Sequence, residues 1–392
     1  MKGLLFIGLI STIIRVAPDG SGDFISPIEA IESVKQMASS ESPVEIFIEP
    51  GVYQYSSGYG QIKLYDGIHV QGANQDSVII KGFGISASDI GDARASIANL
   101  TLIHRPTGIT AMMNLGTDSF NVDYSFLNIR FISESAFAEP PNLVSAIRIH
   151  SIKASAINLL FENCSYKGKS IFLLAGHPLT GVRSTYLNVI FDHCVIESSP
   201  VGVGAPDPHF ILQDWLPGQL TIRNCTIKWD MSQSTRGADM HRGAILMQNE
   251  DGNNYAGNQR LEILNSKIEM IDNGLGGPGK PASLICIAAT ANKNRCTVLL
   301  ENTILRRGAN VSYGVLTSNQ SRVEYSQCNP LRPLILGQPA TIVNLDEEPV
   351  INTVRKAYVG DRRIKSQALN YRGNPVYGAE QKVPQVIEEA EK

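Results

Sequence analysis

Charge and aromatic residues are scarce in this 392-residue chain, at 18% and 7%, and no two cysteines are close enough for a metal knuckle. With 34 basic against 37 acidic side chains, the formal charge is -3. A balance that even supplies no field for nucleic acid or an anionic lipid surface, so neither is an expected partner. The six cysteines, at 164, 194, 225, 286, 296 and 328, contain no C-x-x-C pair, which argues against a zinc site or a disulfide-stapled miniprotein. No phosphate loop, metal cluster or Ser/His/Asp signature stands out, so neither a metal nor a cofactor is expected. The apolar run 3–14 is too short to span a membrane. It has the make-up of a signal-peptide core, but it leads straight into Ile13-Ile14-Arg15-Val16, which reads as a first strand; both readings stand at this point.

What the chain does have is a large apolar fraction, 43%, broken by 34 glycines and 20 prolines. That composition excludes disorder and favours many short elements separated by turns. A short pattern then recurs: apolar, any, Asn, small or apolar, any, apolar. It reads Ile97-Ala98-Asn99-Leu100-Thr101-Leu102, then Phe126-Leu127-Asn128-Ile129-Arg130-Phe131 and Phe161-Glu162-Asn163-Cys164-Ser165-Tyr166. Further copies are centred on His193, Asn224, Asn265 and Asn302, and the seven anchors lie 29, 35, 30, 31, 41 and 37 residues apart.

Positions two before, one after and three after each anchor are apolar or small. That alternation describes a strand with one face in a core. The phase on both sides of the anchor fits only if the chain bends there. Asn is the non-glycine residue most tolerant of left-handed backbone, so each copy predicts strand, bend, strand. One such corner cannot bury its own apolar face, whereas corners stacked about 4.8 Å apart form a continuous core. The expected fold is all-β: a single-stranded right-handed parallel β-helix, with the anchor asparagines forming a hydrogen-bonded ladder. Cys164, Cys194 and Cys225 should stack as buried, unreactive thiols. The sequons at Asn99, Asn163 and Asn224 fall on anchors, and asparagines turned into the stack would not accept glycans.

Residues 1–60 read as an N-terminal cap, 61–345 as the β-helix and 346–392 as an irregular extension. Within the cap, Ser26-Pro27 opens an amphipathic helix with apolar residues at 28, 31 and 34.

The segments Val16-Ala17-Pro18-Asp19-Gly20-Ser21-Gly22-Asp23-Phe24, Ile46-Phe47-Ile48-Glu49-Pro50-Gly51-Val52-Tyr53 and Ile68-His69-Val70-Gln71-Gly72 resemble the opening coils of pectin methylesterases. The resemblance covers about the first 85 residues and implies the pectin-lyase-like fold, a group that also contains polysaccharide lyases, glycoside hydrolases and phage tail spikes. The enzymatic motifs do not carry over. Gln213-Asp214 matches two letters of the Gln-Asp-Thr-Leu segment, and the Asp-Phe-Ile-Phe-Gly and Gly-Arg-Pro-Trp segments are missing.

Three candidate sites follow. The run 207–215 places Asp207, His209, Gln213 and Asp214 beside Trp215, and a ring flanked by polar groups suits a sugar-binding groove. Asp239, His241 and Arg242 combine an acid, a base and a cation in a long loop; solvated loop charges are the plainer reading. Glu162 and Asp192 each precede an anchor, so stacking would make them neighbours, and mutual repulsion would raise one pKa as a general acid requires. A solvated polar face is the plainer reading here too.

Taken together, these features lead to an expected non-catalytic, glycan-binding β-helix of a virion or phage appendage, virion-associated or extracellular. It would be homotrimeric, and the terminal extensions would meet other virion proteins. A polysaccharide lyase or hydrolase and a divergent pectinesterase-like secreted protein are the alternatives, with Asp214, Glu162 and Asp192 as weak catalytic candidates.

Overall fold

The computed structural model describes residues 12–55, 60–104, 111–115, 121–133, 145–149, 156–168, 171–175, 186–199, 209–214, 218–234, 242–249, 259–275, 281–289, 296–317, 321–328 and 341–344, with a short antiparallel pair at 368–369 and 375–376. For His209–Asp214 only the backbone path is described.

Strands wind into a right-handed parallel β-helix. On one flank, twelve described strands stack in register from Thr12–Val16 to Thr341–Asn344, every pairing parallel. Past the anchor, a second flank stacks Ser165–Gly168, Val195–Ser198, Thr226–Asp230, Lys267–Ile271 and Ile304–Arg307. A nine-stranded sheet, running from Gly60–Leu64 to Val311–Thr317, closes each coil.

The anchors bend as the pattern requires. Asn99, Asn128, Asn163, His193, Asn224, Asn265 and Asn302 all have φ between 45° and 57°. An eighth corner, which the Asn pattern missed, bends at Gln327 with φ 44°. Backbone hydrogen bonds continue through these corners, as from Asn163 N to the Asp192 carbonyl at 2.9 Å and from Val195 N to the Cys164 carbonyl at 3.0 Å.

Columns of equivalent residues fill the core. Two positions before the anchors, Phe126, Phe161 and Phe191 stack with centroids 4.7 and 5.0 Å apart. One position after them, Cys164, Cys194 and Cys225 are buried and free. Their chemistry is structural. Each Sγ lies within 3.4 Å of two carbonyls, one just before its own anchor and one in the preceding coil. The hydroxyls of Ser266 and Thr303 do the same in later coils. A small donor at this position satisfies backbone oxygens that the bend turns toward the core. The hydrogen bond with the neighbouring Cys164, helped by burial, pushes the Cys194 thiol up to about 12, so no reactive thiolate forms.

The anchor side chains differ from expectation. Asn128, Asn163, Asn224, Asn265 and Asn302 are exposed, because a left-handed residue at a convex corner turns its side chain outward. Burial therefore does not exclude glycosylation at the Asn163 and Asn224 sequons. The ladder itself exists on the outside, with Asn128 Nδ2 to Asn99 Oδ1 at 2.7 Å and Asn302 Nδ2 to Asn265 Oδ1 at 3.0 Å.

The helix Pro27–Val34 covers the N-terminal end, burying Pro27, Ala30, Ile31 and Val34. Ser26 has the extended backbone of an N-cap, but its hydroxyl makes no capping bond. Among the described residues, no helix is long and apolar enough to cross a membrane.

Candidate functional site

Glu162 and Asp192 are register partners on the outer face of the twelve-strand flank, as the anchor spacing predicts, and Arg223 follows in the next coil. Their electrostatics differ from expectation. Asp192 receives the Arg223 guanidinium at 2.8 Å, the Asn224 amide at 3.0 Å and His193 Nδ1 at 2.8 Å. Burial pulls its pKa up, but the hydrogen bonds of Asn224 and Arg223 and the nearby positive charge outweigh burial and leave it below the ordinary carboxylate value. Asp192 is therefore a held carboxylate, ionised at neutral pH. It cannot be the proton donor that a stacked acid pair would supply.

Arg242 also departs from its expected place. It opens the strand Arg242–Asn249 with its side chain only 4% exposed, paired at 2.9 Å with the fully buried Asp272. Burial pushes the Asp272 carboxyl up and the guanidinium down. Asn273 Oδ1, 2.8 Å from Arg242 Nη1, and the Gly274 amide, 2.9 Å from Asp272 Oδ2, complete a corner clamp. A guanidinium enclosed in this way is not available to a sugar. Asp239 and His241 lie outside the described residues, as do Asp207 and Trp215. The backbone places His209, Gln213 and Asp214 on one strand, where Gln213 pairs with Ala175 and Met247, and Asp214 with Gln248.

The described outer face also groups residues that the anchor pattern did not single out. Five positions before successive anchors stand Asn158, Asn188, Gln219 and Arg260, stacked in register. Asn188 Nδ2 lies 3.5 Å from Asn158 Oδ1, while Gln219 Nε2 donates to Glu262 Oε2 at 2.8 Å and to Thr221 Oγ1 at 2.9 Å. Arg260 pairs with the same Glu262. Beside this column is Tyr186, 47% exposed and two residues before Asn188 on the same face. Counting columns at a fixed offset from the anchor would have found the amides, and Tyr186 sits one step further along the same strand.

The result is an open polar face carrying one exposed ring. It holds amides and ion-paired carboxylates. Among the described residues, no group of three or more His, Cys, Asp and Glu side chains could hold a metal.

No protein-family model and no curated protein matches the sequence. Solved structures with a similar path include pectin methylesterase from carrot, at 13% identity and TM-score 0.41, covering 83% of this chain and 85% of that one. Pectin methylesterase PemA from Erwinia chrysanthemi follows at 12% identity and TM-score 0.38, covering 74% and 93%. The A-module of the Azotobacter vinelandii mannuronan C-5 epimerase AlgE6 aligns at 13% identity and TM-score 0.33, covering 81% and 94%. These are distant likenesses of path, and no argument about activity rests on them. The class of the chain, a parallel β-helix, follows from its own strand pairing.

Proposed function

We propose that this chain is a glycan-binding rod that does no chemistry on its ligand. The observation that carries the reading is Tyr186, an exposed ring beside the stacked amides Asn158, Asn188 and Gln219. A ring that covers a pyranose face beside groups that bind its hydroxyls is the composition of a carbohydrate surface. Hydrolysis, in contrast, needs a protonated acid facing a second carboxylate. Asp192, one member of the candidate pair, is held in the wrong state for that role. The run from Asp207 to Trp215 serves as a second contact surface in this reading, with His209, Gln213 and Asp214 on the strand it shares.

The finer proposal is a virion or extracellular appendage, a homotrimer that binds cell-surface polysaccharide. The long regular stack and the 346–392 extension, with its charge clusters and prolines, suit such a part. Equilibrium binding to a panel of capsular and plant polysaccharides tests the contact surface. Tyr186→Ala should weaken binding about tenfold, roughly 1.4 kcal/mol, and Trp215→Ala should weaken it further. Unchanged affinity in both variants would remove this surface from the account.

A further inference from the structure

Among the described corners, side-chain ladder bonds join only the first pair and the last pair of anchors, and the four steps between Asn128 and Asn265 carry none. Asn128 donates to Asn99, and Asn302 donates to Asn265. At the fourth corner His193 stands where the other six copies have Asn, and Asn224 gives its amide to Asp192 instead. The Asn163 side chain, exposed between Asn128 and His193, makes no hydrogen bond to another described residue. His193 is 59% exposed, with Nδ1 2.8 Å from Asp192 Oδ1.

From this arrangement we infer that the interrupted corner at Asn163 and His193 is a recognition site for a vicinal diol on a neutral stretch of a glycan. The inference rests on the glycan-binding reading and deepens it by naming what this corner takes. Nδ1 faces Asp192, a carboxylate that only accepts, so in the neutral ring the proton sits on Nδ1 and Nε2 is an acceptor on the exposed side. One coil away, about 4.8 Å along the backbone, the carboxamide of Asn163, which has no side-chain partner among the described residues, offers both a donor and an acceptor. Two adjacent sugar hydroxyls, each able to donate and accept, match that pair.

The charges around the corner favour a neutral ligand. Arg223 and Asn224 already occupy Asp192, and Glu162, its register partner, adds a second carboxylate beside it. A uronate carboxylate placed there would face both anions. An asparagine at position 193 would give this corner the residue that the other six copies hold. The histidine instead adds a ring nitrogen beside the Asn163 carboxamide.

His193→Asn tests the site because it restores the residue that a purely structural ladder would hold. The intact protein is titrated calorimetrically with oligosaccharides of mannan, dextran and fully methyl-esterified galacturonan, alongside His193→Asn and Asn163→Ala. Asn163→Ala removes no described side-chain hydrogen bond, and alanine at φ 53° costs about 1 to 2 kcal/mol, so its thermal midpoint should fall while the stack stays folded. The expected result is binding of at least one oligosaccharide by the wild type and about tenfold weaker binding by both variants. The thermal midpoint of His193→Asn should be equal to or above that of the wild type. If both variants bind as the wild type does while Tyr186→Ala loses affinity, this inference falls and the glycan reading stands. A lower midpoint in His193→Asn with unchanged affinity in both variants assigns the corner a structural role alone and also overturns it. If the wild type binds no member of the panel, both readings fall together.

Discussion

At position 104 a histidine ends the long strand Ala93–His104 with 1% of its surface exposed, and burial pushes its pKa down to about 4. An unfolded histidine titrates near 6.5, so the folded state holds this ring neutral across that interval. The depressed value fixes the sign. Stability from His104 is complete above about pH 6.5 and is lost as the pH falls toward 4, because only the unfolded chain gains the proton. The loss is about 3 kcal/mol across that window. Urea midpoints measured between pH 7 and 4 should fall accordingly, and His104→Gln should flatten the slope in that interval. A slope unchanged in the variant would show that another group governs the acid limb.

At the same scale, individual residues show what the sequence made legible. Asn anchors predicted left-handed corners because few residues tolerate that backbone, and all seven copies adopt it. The inward columns followed from the same count, which correctly placed Cys164, Cys194 and Cys225 in the core. The direction of the anchor side chain did not follow, since the alternation of the flanking strands does not continue through a bend. Arg242 was misread for another reason: its partner, Asp272, lies thirty residues further on, in the next coil, and nothing local marks it. Asp192 was read as one member of a carboxylate pair, but its pKa is set by Arg223 and Asn224 from a coil further along.

Elements in this fold are coils, and their charged outer columns must avoid stacking like charge on like. Four positions after successive anchors stand Lys167, Glu197, Lys228, Glu269 and Arg306, all in register. Their charges alternate. Lys267 at 3.1 Å and Arg306 at 3.8 Å both reach Glu269. In a parallel stack an identical residue at each step would repel its neighbours, so alternation specifies register as well as adding a little stability. Glu197→Lys would place three lysines in consecutive coils, at a cost of about 0.5 to 1 kcal/mol. Thermal unfolding in low salt should show a lower midpoint for this variant than for Glu197→Gln, and added salt should narrow the gap. An equal midpoint for the two would mean the column is simply solvated. Tyr186 and the amide column belong to this scale too; they lie five or more residues from the anchors, where the Asn pattern carries no mark.

For the whole molecule, twelve strands about 4.8 Å apart make a stack on the order of 50 Å long. The low charge content fits a chain with this much stacked strand interior. If the appendage reading holds, three such rods associate, and light scattering should give about three times the 42.6 kDa of one chain. A monomer at micromolar concentration would contradict that reading without touching the fold or the glycan surface. The central claim is that the rod holds a polysaccharide and leaves it intact. Its most direct test is to incubate the protein with each panel polysaccharide that it retains, then assay the supernatant for new reducing ends, unsaturated uronates and methanol. The account predicts retention with none of these products; product release that is abolished by Asp214→Ala, Glu162→Ala or Asp192→Ala would contradict it.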